Sequence, residues 1–269
     1  MYSDSHVHTA FSGDSETSAE DQIRQAVSLG MTDLTITDHQ DFDYPPTEEE
    51  DISFDLDMGV YPAEISRLRE LYSRKIRLHF GVELGLQPWL GKRLQEFAGC
   101  WPFDFIIGST HLCRGADPYY PAFFETAGEE EIYRSYFEEA RINLRSTDCF
   151  DIAGHLDYIF QYGPTKNTCY PFSRYSDLID DILKDLICRG KGIECNTGGY
   201  DAGLGGPMPG ADILRRYREL GGEIITLGSD AHVPGKLGRH FEEAGALLRA
   251  CGFRYYAVYT GHRPEFYPL

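Results

Sequence analysis

Six of the nine histidines in this 269-residue chain stand at the ends of short apolar runs, and two acids stand in matching places. The segments are Ser5-His6-Val7-His8, Thr37-Asp38-His39, Gly81-Val82-Glu83, Ser109-Thr110-His111, Ala153-Gly154-His155 and Gly228-Ser229-Asp230-Ala231-His232. Runs such as Leu34-Thr35-Ile36-Thr37, Phe105-Ile106-Ile107-Gly108 and Ile224-Ile225-Thr226-Leu227 precede several of them and read as strands. Strands alternating with helices build a parallel sheet or barrel, and in a parallel barrel every strand C-terminus opens on one face. Ligand-type residues scattered along the chain therefore converge at one mouth. The pattern reads as a multinuclear metal site and marks an enzyme.

The spacing predicts seven β/α units, with strands near 2–7, 33–37, 76–82, 105–109, 150–153, 192–195 and 223–227. Thr17-Ser18-Ala19-Glu20 has capping-box spacing, followed by Ile23, Ala26 and Val27 on one face and Gly30 as a stop. Pro62 suits a first helical turn, with Ile65, Leu68, Leu71 and Tyr72 as its buried stripe. A helix over 129–144 turns Ile132, Tyr136, Phe137 and Ala140 inward, and Ser176 caps one carrying Ile179, Leu183, Leu186 and Ile187. Helices over 211–220 and 241–250 stop at Gly221 and Gly252. The run 255–259 is expected as an edge strand, and 41–59 and 198–210 as loops over the mouth. The whole chain, 1–269, reads as a single domain.

Composition narrows the partners. Apolar residues make up 42% of the chain, enough for a sizeable core, yet no stretch approaches the length of a membrane span. The N-terminus lacks a basic region followed by an apolar segment, so no signal peptide is expected. Seven isolated cysteines, an odd number, fit a reduced cytoplasm. Cys195 reads as a buried small apolar residue rather than a nucleophile. A net charge of −18 repels nucleic acid and anionic membrane. A small anionic substrate stays compatible, because bound divalent cations reverse the local sign.

His6 and His8 lie two apart on an extended segment, so both rings leave one face and can grip one ion. His79 and His240 read as ordinary core or surface imidazoles. The candidate ligands are His6, His8, Asp14, His39, Glu83, His111, His155, Asp230 and His232. Mixed imidazole and carboxylate donors suit Zn, Mn or Fe better than Ca or Mg, and this many donors imply two or three divalent transition-metal ions. Clustered ions lower the pKa of a bridging water and neutralise the oxygens of a phosphoryl transition state. Asp38 is expected either to orient the adjacent His39 ring or to be a plain turn acid.

His6-Val7-His8-Thr9, Thr37-Asp38-His39, Gly81-Val82-Glu83, Gly108-Ser109-Thr110-His111, Gly154-His155-Leu156-Asp157 and Gly228-Ser229-Asp230-Ala231-His232 together resemble the PHP (polymerase and histidinol phosphatase) superfamily. Asp41-Phe42-Asp43-Tyr44-Pro45, Glu83-Leu84-Gly85-Leu86-Gln87, Asp117-Pro118-Tyr119-Tyr120 and Glu194-Cys195-Asn196-Thr197 look like its L-histidinol-phosphate phosphatase branch. The resemblance runs from His6 to Leu269. It implies a distorted (β/α)7 barrel, an α/β fold with a trinuclear metal centre at the C-terminal ends of the strands. By the same resemblance, His6, His8, Glu83 and Asp230 hold the first ion. Glu83 bridges to a second held by His111 and His155, and Asp14, His39 and His232 hold the third. Glu83, Asp230 and His232 are the implied catalytic residues.

The resemblance also implies hydrolysis of L-histidinol phosphate, in histidine biosynthesis, by a metal-bridging hydroxide. Three stretches depart from the family. Phe160-Gln161 stands where an Arg or Lys is usual, and Tyr200-Asp201-Ala202 stands where a basic pair is usual. Cys113-Arg114-Gly115 stands where an acid is frequent. Arg114 is therefore expected as a relocated phosphate clamp, with a solvated loop residue as its alternative, and Arg263 is a further basic candidate. Asp201 or Asp157 is expected to take a substrate amine, and Asn196 joins the substrate side. The alternatives are a PHP phosphoesterase for another small phosphate ester or nucleotide, a barrel amidohydrolase, and a non-catalytic PHP module. The amidohydrolase is disfavoured by the order of Glu83 and Asp230-Ala231-His232 and by the lack of a strand-end lysine, and the module by the complete ligand set. An exonuclease role is disfavoured by the acidity of the chain.

Overall fold

The apolar runs fold as parallel strands of one curled sheet in the computed structural model, which describes residues 2–46 and 52–269. The strands are β1 (Asp33–Ile36), β2 (His39–Gln40), β3 (Arg77–Gly85), β4 (Phe105–Ser109), β5 (Ile152–Ala153), β6 (Gly192–Asn196) and β7 (Ile225–Gly228). Their order is β1-β3-β4-β5-β6-β7, with β2 beside β3. The segment before β1 joins the two edges, because Asp4 bridges Leu34 and Val7 bridges Ala231, both in parallel. Sheet and segment together make the expected distorted (β/α) barrel. All of these strand residues except Arg77 at the start of β3 are buried, as expected when helices cover a parallel sheet.

The helices are α1 (Ala19–Ser28), α2 (Tyr61–Tyr72), α3 (Gly91–Cys100), α4 (Glu129–Arg145), α5 (Ser176–Cys188), α6 (Gly198–Asp201), α7 (Ala211–Glu219) and α8 (Phe241–Ala250). The α1 cap sits one residue later than its spacing suggested: Ser18 accepts from the Asp21 amide. Ser176 is the first residue of α5 and makes no capping bond. On α2, Ile65, Leu68 and Tyr72 are buried, but Leu71 is 58% exposed because it faces away from the sheet. Sequence reading missed α3, which opens on Gly91 without a side-chain cap and buries only Gly91, Leu94 and Ala98. Inward leucines such as Leu183 and Leu186 are fully buried, and truncating either to Ala costs about 2–5 kcal/mol.

The C-terminal run is not an edge strand of the barrel sheet. Strands β8 (Tyr255–Thr260) and β9 (Arg263–Pro268) pair with each other in an antiparallel hairpin. Its two-residue turn, Gly261-His262, has positive φ at both positions, the conformation that matches strand twist. That turn bonds to Asp104 and His262 pairs with Asp151, residues that immediately precede β4 and β5. The hairpin therefore lies at the N-terminal ends of the strands, where Ala257 and Tyr259 pack on Phe105, Ile107 and Ile152 as a floor. Among the described residues no helix is long and apolar enough to cross a membrane.

Candidate metal centre

Glu83 organises the opposite end of the barrel. Its side chain is fully buried on β3, and its two oxygens face different imidazoles. Oε1 lies 3.1 Å from His111 Nε2 and 2.9 Å from His155 Nε2, and accepts from Ser109 Oγ at 2.6 Å. Oε2 lies 3.2 Å from His6 Nε2, 3.5 Å from His8 Nε2 and 3.1 Å from His39 Nδ1. Asp230 Oδ1 adds contacts of 3.5 and 3.2 Å to His6 and His8. Asp14 lies 3.7 Å from His39 and 3.0 Å from His232. All nine candidate ligands thus meet at the strand C-termini.

The outer nitrogens of four rings are held, which fixes which nitrogen faces inward. His6 Nδ1 donates to Glu194 at 2.7 Å, and His111 Nδ1 donates to Asp41 at 2.6 Å. Ser12 Oγ donates to Asp38 at 2.7 Å, so His8 Nδ1 must donate to Ser12, 3.0 Å away. His232 Nδ1 donates to the Asp230 carbonyl at 3.0 Å. Asp38 therefore steadies the His8 ring through Ser12 rather than the neighbouring His39 ring. Glu194 and Asp41 open two of the quoted motifs, but the sequence assigns neither a role. Each fits over a strand glycine: a Cβ at Gly228 would collide with the Glu194 carboxylate, and one at Gly85 with that of Asp41. Asp4, also missed, accepts from the Ser229 and Gly238 amides and so pins both ends of the loop carrying Asp230 and His232.

This arrangement calls for cations. His6 Nε2 and His8 Nε2 lie 3.0 Å apart; with both Nδ1 atoms donating elsewhere, two lone pairs confront each other unless a proton or an ion stands between. His39 Nδ1 and Glu83 Oε2 are buried without a hydrogen-bond partner, although they face each other. Burial, and then the rings of His39 and His232, pushes His8 down to about 3. Burial alone would raise Glu83, but His6, His111 and His39 hold it well below the usual carboxylate range. Burial opposes a charge on His111 as well, yet Asp41 and Glu83 raise it well above the ordinary imidazole value. Ligand atoms of His6, His8 and Glu83, of His39, Glu83 and His111, and of His8, His39 and His232 each lie within 4.8 Å of one another. The donor set fits a group of transition-metal ions.

A cavity of about 430 Å3 opens over this cluster, and the flanks of loop 41–59 reach it through Tyr44, Ile52 and Phe54; its residues 47–51 lie outside the described ones. The structure corrects four substrate-side expectations. Arg114 and Gly115 form a tight turn with positive φ, closed by Cys113 and Ala116. That turn sends the guanidinium to Ser135 and Glu131 on α4, and Arg114 does not line the cavity. Arg263 begins β9 beside the floor turn, at the wrong end of the barrel. Asp157 does not line this cavity; it is buried and accepts from the Gly210 amide, and burial raises it to about 7. Asn196 is buried and bonds Glu194 and Asp230, so it positions a ligand rather than facing substrate. Asp201 does line the cavity, but Arg239 and His240 already pair with it. His240 stands at the left-handed residue before α8. Cys195 is fully buried, and burial pushes its thiol up.

Comparison with known proteins identifies the family. A family model described as PHP domain matches residues 4–198. The chain belongs to the PHP domain family. It is similar to the histidinol-phosphatase of Lactococcus lactis, 29% identical over 259 residues, covering 96% of this chain and 94% of that one. A probable histidinol-phosphatase of Clostridium acetobutylicum is 31% identical over 256 residues, 94% of this chain and 95% of that one. A crystal structure of the Lactococcus lactis histidinol phosphate phosphatase, complexed with zinc, L-histidinol and phosphate, superposes with a TM-score of 0.88 at 28% identity, covering 98% of each chain.

Proposed function

We propose that this PHP chain is a metal-dependent phosphomonoesterase that hydrolyses L-histidinol phosphate to L-histidinol and phosphate. The observation that carries the reading is the Glu83 carboxylate, whose two oxygens are shared between separate imidazole groups at the cavity mouth. Two or three Zn, Mn or Fe ions would be held by His6, His8, Asp14, His39, Glu83, His111, His155, Asp230 and His232. When bound, such ions supply water of lowered pKa and positive charge for phosphate oxygens. Glu194, Asp41, Ser12 and Asn196 keep the ligands in register, so little reorganisation is needed when substrate enters.

The rest of the cavity suits a cationic organic end. Asp117 accepts from Tyr44 at 2.6 Å beside Tyr119, Tyr120, Tyr158 and Tyr162, giving a carboxylate among aromatic rings for an ammonium and an imidazole. The net charge of −18 supports a small-molecule substrate over nucleic acid. The free state of all seven cysteines supports a reducing cytoplasm. We treat residues 1–269 as one domain, a reading supported by a core that runs from Tyr2 to Val258.

A second reading, another small phosphate ester, is favoured by Gln161 and Asp201, which line the cavity and bring no positive charge to a phosphate. The test is a phosphate-release comparison of L-histidinol phosphate, 4-nitrophenyl phosphate and a panel of metabolite phosphoesters. L-Histidinol phosphate is expected to lead by roughly tenfold or more in kcat/KM. A different ester in that place supports the second reading. Turnover confined to amide, lactone or deaminase substrates overturns both.

A further inference from the structure

With Arg114 and Arg263 directed elsewhere, Lys236 is the lone lysine or arginine among the described residues that line the cavity. It ends a short turn, Pro234–Lys236, that begins two residues after His232. The turn is anchored from below, since the Gly238 amide donates to buried Asp4. Lys236 Nζ stands 3.9 Å from Asp201 Oδ2, whereas Arg239 donates to that same oxygen at 2.9 Å. The arginine thus satisfies the carboxylate and leaves the lysine only loosely tied. Exposed ion pairs of that kind hold a side chain weakly. Lys236 is half exposed, so its four-carbon stem is free to turn toward an anion at the mouth.

We infer that Lys236 is the phosphate-binding cation of this cavity, left free for an anion because Arg239 takes the Asp201 carboxylate. Asp201, held by Arg239, is then not the receptor for a substrate amine. The inference rests on the phosphomonoesterase reading but not on the identity of the ester. A phosphate dianion beside an ammonium makes charge-assisted hydrogen bonds, and a lysine supplies that charge from any approach direction.

The test is calorimetric binding of inorganic phosphate to the metal-loaded protein, wild type against Lys236→Ala and Lys236→Arg, with kinetics on 4-nitrophenyl phosphate and L-histidinol phosphate. Lys236→Ala is expected to weaken phosphate binding about tenfold and to raise KM on both esters by a similar factor, while metal content and thermal midpoint stay at wild-type values. Lys236→Arg is expected to restore most of the loss. Phosphate affinity within twofold of wild type in Lys236→Ala overturns the inference, as does a wild type that binds no phosphate. A wild type that binds phosphate and cleaves 4-nitrophenyl phosphate but spares L-histidinol phosphate refutes the substrate reading alone, and the Lys236 comparison is still read on inorganic phosphate.

Discussion

The two ends of the barrel both set histidine beside carboxylate, yet to different ends. At the floor each imidazole has its own acid. His79 Nε2 donates to Asp33 at 3.0 Å, and Arg77 shares that acid at 2.7 Å; His262 pairs with Asp151 at 3.0 Å. At the mouth the outer nitrogens of four rings are satisfied in the same way, but the inner nitrogens confront one another: the His6 and His8 nitrogens approach to 3.0 Å, and the rings of His8 and His232 stack with centroids 4.3 Å apart. A histidine paired with an acid of its own is structure. A group whose unpaired nitrogens converge on shared carboxylates is a site for cations.

The largest effect that tests this contrast is at the shared carboxylate. Glu83→Ala removes both oxygens from both imidazole groups, so activity is expected to fall by roughly three orders of magnitude or more, the scale of losing a group central to catalysis. Elemental analysis of the purified variant is expected to show most metal gone. A variant that keeps its full metal complement breaks the distinction between the ends.

Next come the acids behind the ligands. Glu194→Gln and Asp41→Asn retain shape but weaken the hold on His6 and His111, and each is expected to cost about 10–100-fold in metal affinity or activity. Competition with a chromogenic chelator measures it. The role of neither acid was legible in the sequence, because the pairings span 188 and 70 residues and depend on a glycine in the adjacent strand. The ligands themselves were legible: strand-end placement forces convergence whatever the details of the loops. Arg114 was misplaced because proximity in sequence to His111 says nothing about a turn with positive φ that points its side chain at α4. The closing hairpin was likewise hidden, since the alternation in Tyr255–Thr260 fits an edge strand and a floor equally well.

A pH effect should separate the ends without mutation. Without ions, His6 and His111 sit well above the ordinary imidazole value, after burial, because of Glu194 and Glu83 around His6 and of Asp41 and Glu83 around His111. Both rings are then protonated at neutral pH, so metal binding must displace protons, and affinity rises with pH until those rings deprotonate. Calorimetric zinc titrations at pH 7 in two buffers of different ionisation enthalpy are expected to show net proton release. Buffer-independent heats contradict this.

The smallest effect belongs to the floor. His79→Gln removes one bond to Asp33, which Arg77 continues to satisfy, and is expected to cost about 1–3 kcal/mol of stability. Chemical denaturation reads that cost, and metal content and kcat should match wild type. Loss of metal in this variant would merge the two ends into one system.

The most direct test of the account is anomalous diffraction from crystals of protein purified without chelator. At least two separate transition-metal peaks are expected, one beside each oxygen of Glu83, within coordination distance of His111 and His155 on one side and of His6 and His8 on the other. A single peak touching only one Glu83 oxygen, or none in the cluster, contradicts the shared-carboxylate centre on which the proposed function depends.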